Sequence, residues 1–221
     1  MFVDSKLVWE LFDQLNASGV RYALIKNINS ELPDRLPDGK DIDILVHESS
    51  MGLFERSMSA IGFKKITAPL GRDNGWSFAN GLNEYTFWEK QNVPCHFYVD
   101  VCEKLMCKSL TPGVWIPLDR SVNQFAWGHL EYVQANAEHG WWILSREAVF
   151  PYLIARCVFD KHGFPTGYIT EIRKNIDLIR NNDVSQRLEK IFFSYTPRLI
   201  SLLDQGRFAD IFSDYITFAN Y

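Results

Sequence analysis

The chain has 221 residues, of which 47% are hydrophobic and 23% are charged. This balance excludes global disorder and allows one ordinary domain, or a small α/β domain with a helical appendage. The formal net charge of −4 excludes a chain-wide basic surface, so no duplex nucleic acid partner is expected. No apolar run approaches the roughly 20 residues that span a bilayer and no signal peptide is recognisable, so we expect a cytoplasmic protein without a membrane span.

Helix and strand signals alternate through the first half of the chain. Helical spacing of apolar residues, short apolar runs and clusters of Pro and Gly define the elements. In chain order, the sequence predicts a helix over 2–16, a strand over 21–26, a loop over 27–40, a strand over 41–47, a helix over 50–60, a short strand from 63, a loop over 69–81, and strands over 84–89 and 96–102.

The second half of the chain has a different character. Residues 103–144 are aromatic and show no clear period, whereas helical stripes recur from Ser145, a predicted N-cap. Pro151 predicts that this helix kinks or starts later. The predicted fold is α+β: a small mixed β-sheet flanked by helices over 1–102, an irregular connecting region over 103–144, and a helical C-terminal region over 145–221.

Two aspartates interrupt the apolar strand at 41–47. Asp41 and Asp43 are two positions apart and share one face of the strand, where Asp is a poor strand former and like charges repel. A hard dication such as Mg²⁺ or Mn²⁺ removes that repulsion, because carboxylate oxygens are its natural ligands. Asp100 lies inside another apolar run, so the three carboxylates form a metal site if the two strands are neighbours. The alternative is that the pair only solubilises an exposed strand start.

The order of helix, strand, aspartate pair and later aspartate resembles the nucleotidyltransferase superfamily, whose fold is shared by polymerase-β-like enzymes and aminoglycoside nucleotidyltransferases. Within this superfamily, the sequence LIKNI…LPDGKDIDILV is similar to that of bacterial nucleotidyltransferase-like proteins of polysaccharide-biosynthesis clusters. The resemblance covers residues 1–180. It implies that Asp41, Asp43 and Asp100 are the metal-binding and catalytic residues.

The superfamily's Gly-Gly or Gly-Ser turn, which cradles the nucleotide phosphates, falls here at Lys26-Asn27. Asn27 tolerates a left-handed conformation and can present its amide to a phosphate, and Lys26 is a candidate point charge for phosphate. Lys40, which precedes the aspartate pair, is a third candidate, either for an ion pair with a carboxylate or for a contact with substrate phosphate. The alternatives are that Lys26 merely ends a strand and that Lys40 is solvated.

The resemblance implies a metal-dependent nucleotidyltransferase. Its partners would be a nucleoside triphosphate and a small-molecule or sugar acceptor with a free hydroxyl. The alternative is a catalytically degenerate nucleotidyltransferase fold with a binding or regulatory role, such as an antitoxin-like protein. Secondary candidates are His96 and Glu84 as bases and Arg72 as a phosphate contact, each with a structural or solvated alternative. The sequence does not predict the oligomeric state.

Overall fold

The computed structural model of the protein describes residues 1–69, 84–109 and 114–219. The chain divides into two compact units. The first comprises Met1–Lys104, Ser109–Trp115 and Leu130–Ile143, and the second comprises Leu105–Lys108, Ile116–His129 and Leu144–Tyr221. The predicted loop beyond residue 69, including Arg72, lies outside the described residues.

The strands of the described residues form one large mixed sheet and one small sheet. In chain order they are β1 (Tyr22–Leu24), β2 (Asp41–Val46), β3 (Phe63–Pro69), β4 (Glu84–Lys90), β5 (Tyr98–Cys102), β6 (Met106–Lys108), β7 (Trp115–Pro117), β8 (Leu130–Gln134) and β9 (Gly140–Leu144). The large sheet has the order β3-β4-β5-β2-β1-β9-β8, and β6 pairs with β7. At its centre, β2 runs parallel to β5 and antiparallel to β1.

Two helices, α1 (Ser5–Ala17) and α2 (Met51–Ala60), share a hydrophobic core with the large sheet. Alternate residues of β2, such as Ile42 and Ile44, point into this core together with Phe12 of α1 and Phe54 of α2. Helix α1 begins three residues later than predicted because Asp4 is its N-cap and accepts a hydrogen bond from the Lys6 amide at 2.9 Å.

The second unit is mainly helical. Its helices are α3 (Arg120–Gly128), α4 (Arg146–Ala155), α5 (Thr166–Lys174), α6 (Asn182–Phe192), α7 (Thr196–Asp204) and α8 (Phe208–Ala219). Ser145 caps α4 as predicted, since its side chain accepts a hydrogen bond from the Ala148 amide at 3.3 Å. Helix α4 contains Pro151 and continues to Ala155, where a π-helical turn follows.

The predicted α+β class, with a mixed sheet flanked by helices and a helical C-terminal region, is confirmed. The segment 103–144 differs from the irregular region that was predicted. Its described residues, 103–109 and 114–144, form α3 and four strands, of which β8 and β9 extend the large sheet. In residues 1–69, 84–109 and 114–219, no helix combines the length and apolar character needed to cross a membrane.

Candidate metal centre

The pairing of β2 with β5 brings the three predicted carboxylates together. Asp43 lies directly opposite Asp100, and Asp41 lies opposite Tyr98 on the same parallel ladder. Because Ile42 and Ile44 face the helices, Asp41 and Asp43, which alternate with them, project from the other face of the sheet. The strand adjacency on which the predicted site depended is therefore present.

The carboxylates have the spacing and chemistry of a site for a hard cation. One oxygen from each of Asp41, Asp43 and Asp100 lies within 4.8 Å of the other two. Oxygens on opposite sides of one Mg²⁺ are about 4.2 Å apart, since each metal–oxygen distance is about 2.1 Å. The separation of the three oxygens is therefore of the order found around a single bound ion. Asp41 is exposed and the other two are half-buried, which leaves an open side for water and substrate.

Lys26 contributes a positive charge to this cluster. Its ammonium forms an ion pair with Asp43 Oδ2, and the Lys26 and Asp43 side chains are only 16% and 14% exposed, so the pair is shielded from water. Sequence reasoning treated Lys26 as a phosphate contact or a strand end and missed this partner. No periodicity signals it, because Lys26 follows the end of β1 at Leu24.

Burial raises the pKa of the Asp100 carboxyl to about 7. The negative charges of Asp41 and Asp43 act in the same direction, as does a hydrogen bond with Asp41 that favours the protonated form, whereas Lys26 opposes them. A carboxyl group with this pKa exchanges protons near neutrality.

The other two predicted phosphate contacts, Asn27 and Lys40, bind neighbouring residues of their own loop. Asn27 has φ −132° rather than the left-handed conformation considered for it, which Asn29 and Ser30 adopt instead, with φ of 63° and 51°. The Asn27 side-chain oxygen accepts a hydrogen bond from the Leu32 amide at 3.1 Å and so shapes its own loop. Lys40 forms an ion pair with a carboxylate, one of the two roles considered for it, and the partner is Glu31.

The secondary candidates contribute less. The His96 side chain is 68% exposed, and its Nδ1 lies 3.1 Å from the Tyr98 hydroxyl, as expected for a hydrogen-bonded structural histidine. The backbone of Glu84 begins β4, and its side chain lies outside the described part of the molecule.

A cleft of about 380 Å³ opens at the other end of β1, with Arg21, Tyr132 and Trp142 among its lining residues. Tyr22, also in its lining, pairs with Val46 of β2. Val46 is five positions from Asp41, or about 16 Å along an extended strand. The cleft is therefore distinct from the carboxylate cluster.

Comparison with known proteins defines no family for this chain. No protein-family profile and no curated protein match it. Among solved structures, it is similar to the antibiotic-resistance factor ANT(2'')-Ia, with 13% identity and a TM-score of 0.47 over 92% of this chain and 96% of the other. It is also similar to an antigenic nucleotidyltransferase-like protein from Paracoccidioides brasiliensis, with 13% identity and a TM-score of 0.46 over 92% of each chain. At these low identities and TM-scores, the similarity assigns no activity to this chain.

Proposed function

We propose that this chain is a metal-dependent nucleotidyltransferase. It would transfer a nucleotidyl, or another phosphoryl-bearing, group from a nucleoside triphosphate to a hydroxyl of a small molecule or sugar. The observation that carries the proposal is the meeting of Asp41, Asp43 and Asp100, with ligand oxygens within 4.8 Å of one another. Such a cluster weakens a sheet unless a cation offsets the repulsion. The resemblance of DIDILV and the later Asp100 to the nucleotidyltransferase superfamily supports the same activity.

In this proposal Asp41, Asp43 and Asp100 hold Mg²⁺ or Mn²⁺. The ion, when bound, neutralises phosphate charge and favours in-line displacement. The acceptor oxygen bonds to the α-phosphorus as the bond to pyrophosphate breaks, and Asp100 is our candidate acceptor for the hydroxyl proton. Lys26, Asn27 and Lys40 are the proposed phosphate contacts, and Lys40 must leave Glu31 to act. The cytoplasm and polysaccharide biosynthesis are the proposed setting.

The first test is metal binding by the purified chain. Mg²⁺ or Mn²⁺ is expected to raise the melting temperature of the wild type, and Asp43→Asn is expected to remove most of that increase. In a screen of nucleoside triphosphates and acceptors for pyrophosphate release, Asp43→Asn is expected to lower activity by at least about a hundredfold. Loss of an outer-shell partner of a metal ligand already costs about 10- to 100-fold.

Asp34→Asn is the matched control, because Asp34 is an exposed aspartate of the same unit that lies outside the triad. It should keep the metal-dependent shift. The enzyme proposal fails if neither ion shifts the wild-type melting temperature and Asp43→Asn is as stable as the wild type with unchanged biological effect.

A catalytically degenerate binding or regulatory protein is the second candidate. Two observations favour it: the Lys26 ammonium already neutralises part of the carboxylate cluster, and the Asn27 side chain is bound within its own loop. A protein of this kind would neither bind triphosphate in the presence of Mn²⁺ nor release pyrophosphate with any acceptor. Calorimetry with nucleoside triphosphates therefore separates the two candidates.

A further inference from the structure

Lys26 reaches the carboxylates from a backbone that is fixed on both sides. The preceding residue, Ile25, donates its amide hydrogen to the Asp43 carbonyl oxygen at 3.0 Å. The following residue, Asn27, accepts a hydrogen bond from the Leu32 amide through its side chain. The start of the lysine side chain is therefore held beside β2, while its four-carbon stem leaves the ammonium free to rotate.

The Lys26 ammonium performs part of the task of a cation. It contacts Asp43 directly, and Asp43 lies opposite Asp100 on the ladder between β2 and β5, so the ammonium charge lies within the cluster of three carboxylates. With all three ionised, one lysine leaves two negative charges uncompensated. The cluster is thus partly neutralised by a side chain that occupies an oxygen of Asp43.

Lys26 and a divalent ion compete for the charge of Asp43. The carboxylate has a second oxygen and further lone pairs, but two cations in a half-buried site repel strongly at low effective dielectric. This repulsion favours rotation of the ammonium away from Asp43 when the ion enters. A nucleotide phosphate then offers it a new anionic partner at short range.

We propose that Lys26 is an exchangeable internal counter-ion, which leaves Asp43 when a divalent metal binds and then contacts the phosphates of the nucleotide. This inference rests on the proposed metal site and adds a coupling to it. Bare metal displaces Lys26, whereas metal with triphosphate gives Lys26 a replacement partner. Each ligand therefore raises the affinity for the other, as thermodynamic linkage requires.

The test measures two affinities by calorimetry, that of Mn²⁺ alone and that of inorganic triphosphate at saturating Mn²⁺. Replacing Lys26 by Met is expected to make Mn²⁺ bind about tenfold more tightly and triphosphate about tenfold more weakly, the size of one charge-assisted hydrogen bond. A lysine that only stabilises the fold would not move the two affinities in opposite directions.

Lys65→Met is the control for loss of one positive charge in the same unit, since Lys65 pairs with Glu55 outside the carboxylate cluster. Both of its affinities should match the wild type. Lys26→Gln keeps a hydrogen-bond donor without charge and replaces Lys26→Met if that variant does not fold. Lys26→Arg should restore values near those of the wild type.

The outcomes separate this inference from the proposed function. Suppose that the wild type binds Mn²⁺ and that the uncharged Lys26 variants bind it equally or more weakly. The proposed exchange of Lys26 is then contradicted, whereas the proposed metal site is supported. If triphosphate affinity is unchanged in those variants, Lys26 does not transfer to phosphate. If neither the wild type nor the variants bind Mn²⁺, the metal site itself fails and the exchange fails with it.

Discussion

Asp100 links the electrostatics of the site to the stability of the protein. Its pKa is raised from 3.8 to about 7, first by burial and then by the charges of Asp41 and Asp43. Between these two values the folded protein keeps a proton that the unfolded chain has released. The free energy of unfolding therefore falls as pH rises through this window, by at most about 1.4 kcal/mol per pH unit.

Asp100→Asn should remove this dependence in a metal-free buffer. We expect the variant and the wild type to be similar below about pH 4, and the advantage of the variant to grow up to about pH 7, above which Asp100 is ionised in both the folded and the unfolded wild type and the difference stays constant. Denaturant unfolding at a series of pH values, with a chelator present, measures the difference. A constant difference across the series would show that Asp100 ionises normally.

At the scale of elements, the central strands were the most predictable part of the chain. The alternation of Asp41 and Asp43 with isoleucines predicted β2, and the apolar run around Asp100 predicted β5. The sequence did not show that β2 and β5 are neighbours. In the structure they pair as parallel strands. Period-two patterns are informative where one face of a strand is buried and the other carries a distinct chemistry.

The edge of the sheet was not predictable in the same way. In β8 three of the five residues are exposed, among them Tyr132, so no alternating apolar pattern appears. In β9 two adjacent tryptophans hide the period, although Trp141 is 4% exposed and Trp142 is 39% exposed. The ion pair between Lys26 and Asp43 depends on loop geometry, which no local pattern encodes.

Gly140, at the start of β9, offers a test of this edge. A Cβ at this position would lie 2.5 Å from the Val133 carbonyl oxygen and 2.7 Å from the Tyr132 hydroxyl. The tyrosine can rotate away but the backbone oxygen cannot move without shifting β8. Gly140→Ala is therefore expected to lower the free energy of unfolding by about 1–3 kcal/mol.

Gly128→Ala is its control, because a Cβ there meets no atom within 4 Å and the residue lies in α3. It should be neutral or slightly stabilising in the same denaturant titration. Equal effects of the two substitutions would mean that β8 and β9 do not pack as closely as described.

At the scale of the whole molecule, the proposed site belongs to the first unit alone. Asp41, Asp43 and Asp100 all lie within Met1–Lys104, and the second unit supplies no member of this triad. An ion at a free concentration of 100 times its Kd stabilises the binding-competent state by about 2.7 kcal/mol. This stabilisation should be largest where openings separate β2 from β5.

Hydrogen exchange measured with and without Mn²⁺ can locate the part of the chain that the ion stabilises. We expect slower exchange in peptides covering β2 and β5, by up to about a hundredfold for amides that exchange through openings of the site. Peptides covering α6 of the second unit serve as the internal reference and should change little. Uniform slowing along the chain, or the same pattern in Asp43→Asn, would argue against binding at the triad.

The alternation of acidic and apolar side chains along β2 also affects how the sheet assembles. A slip of β2 by one residue would turn Asp41 and Asp43 into the layer that contacts α1 and α2 and would move Ile42 and Ile44 out of it. Burying carboxylates without partners costs several kcal/mol each. Misaligned strand pairings are therefore penalised from the moment the sheet forms. Asp41 and Asp43 therefore favour the correct register of the central strands even when no ligand is bound.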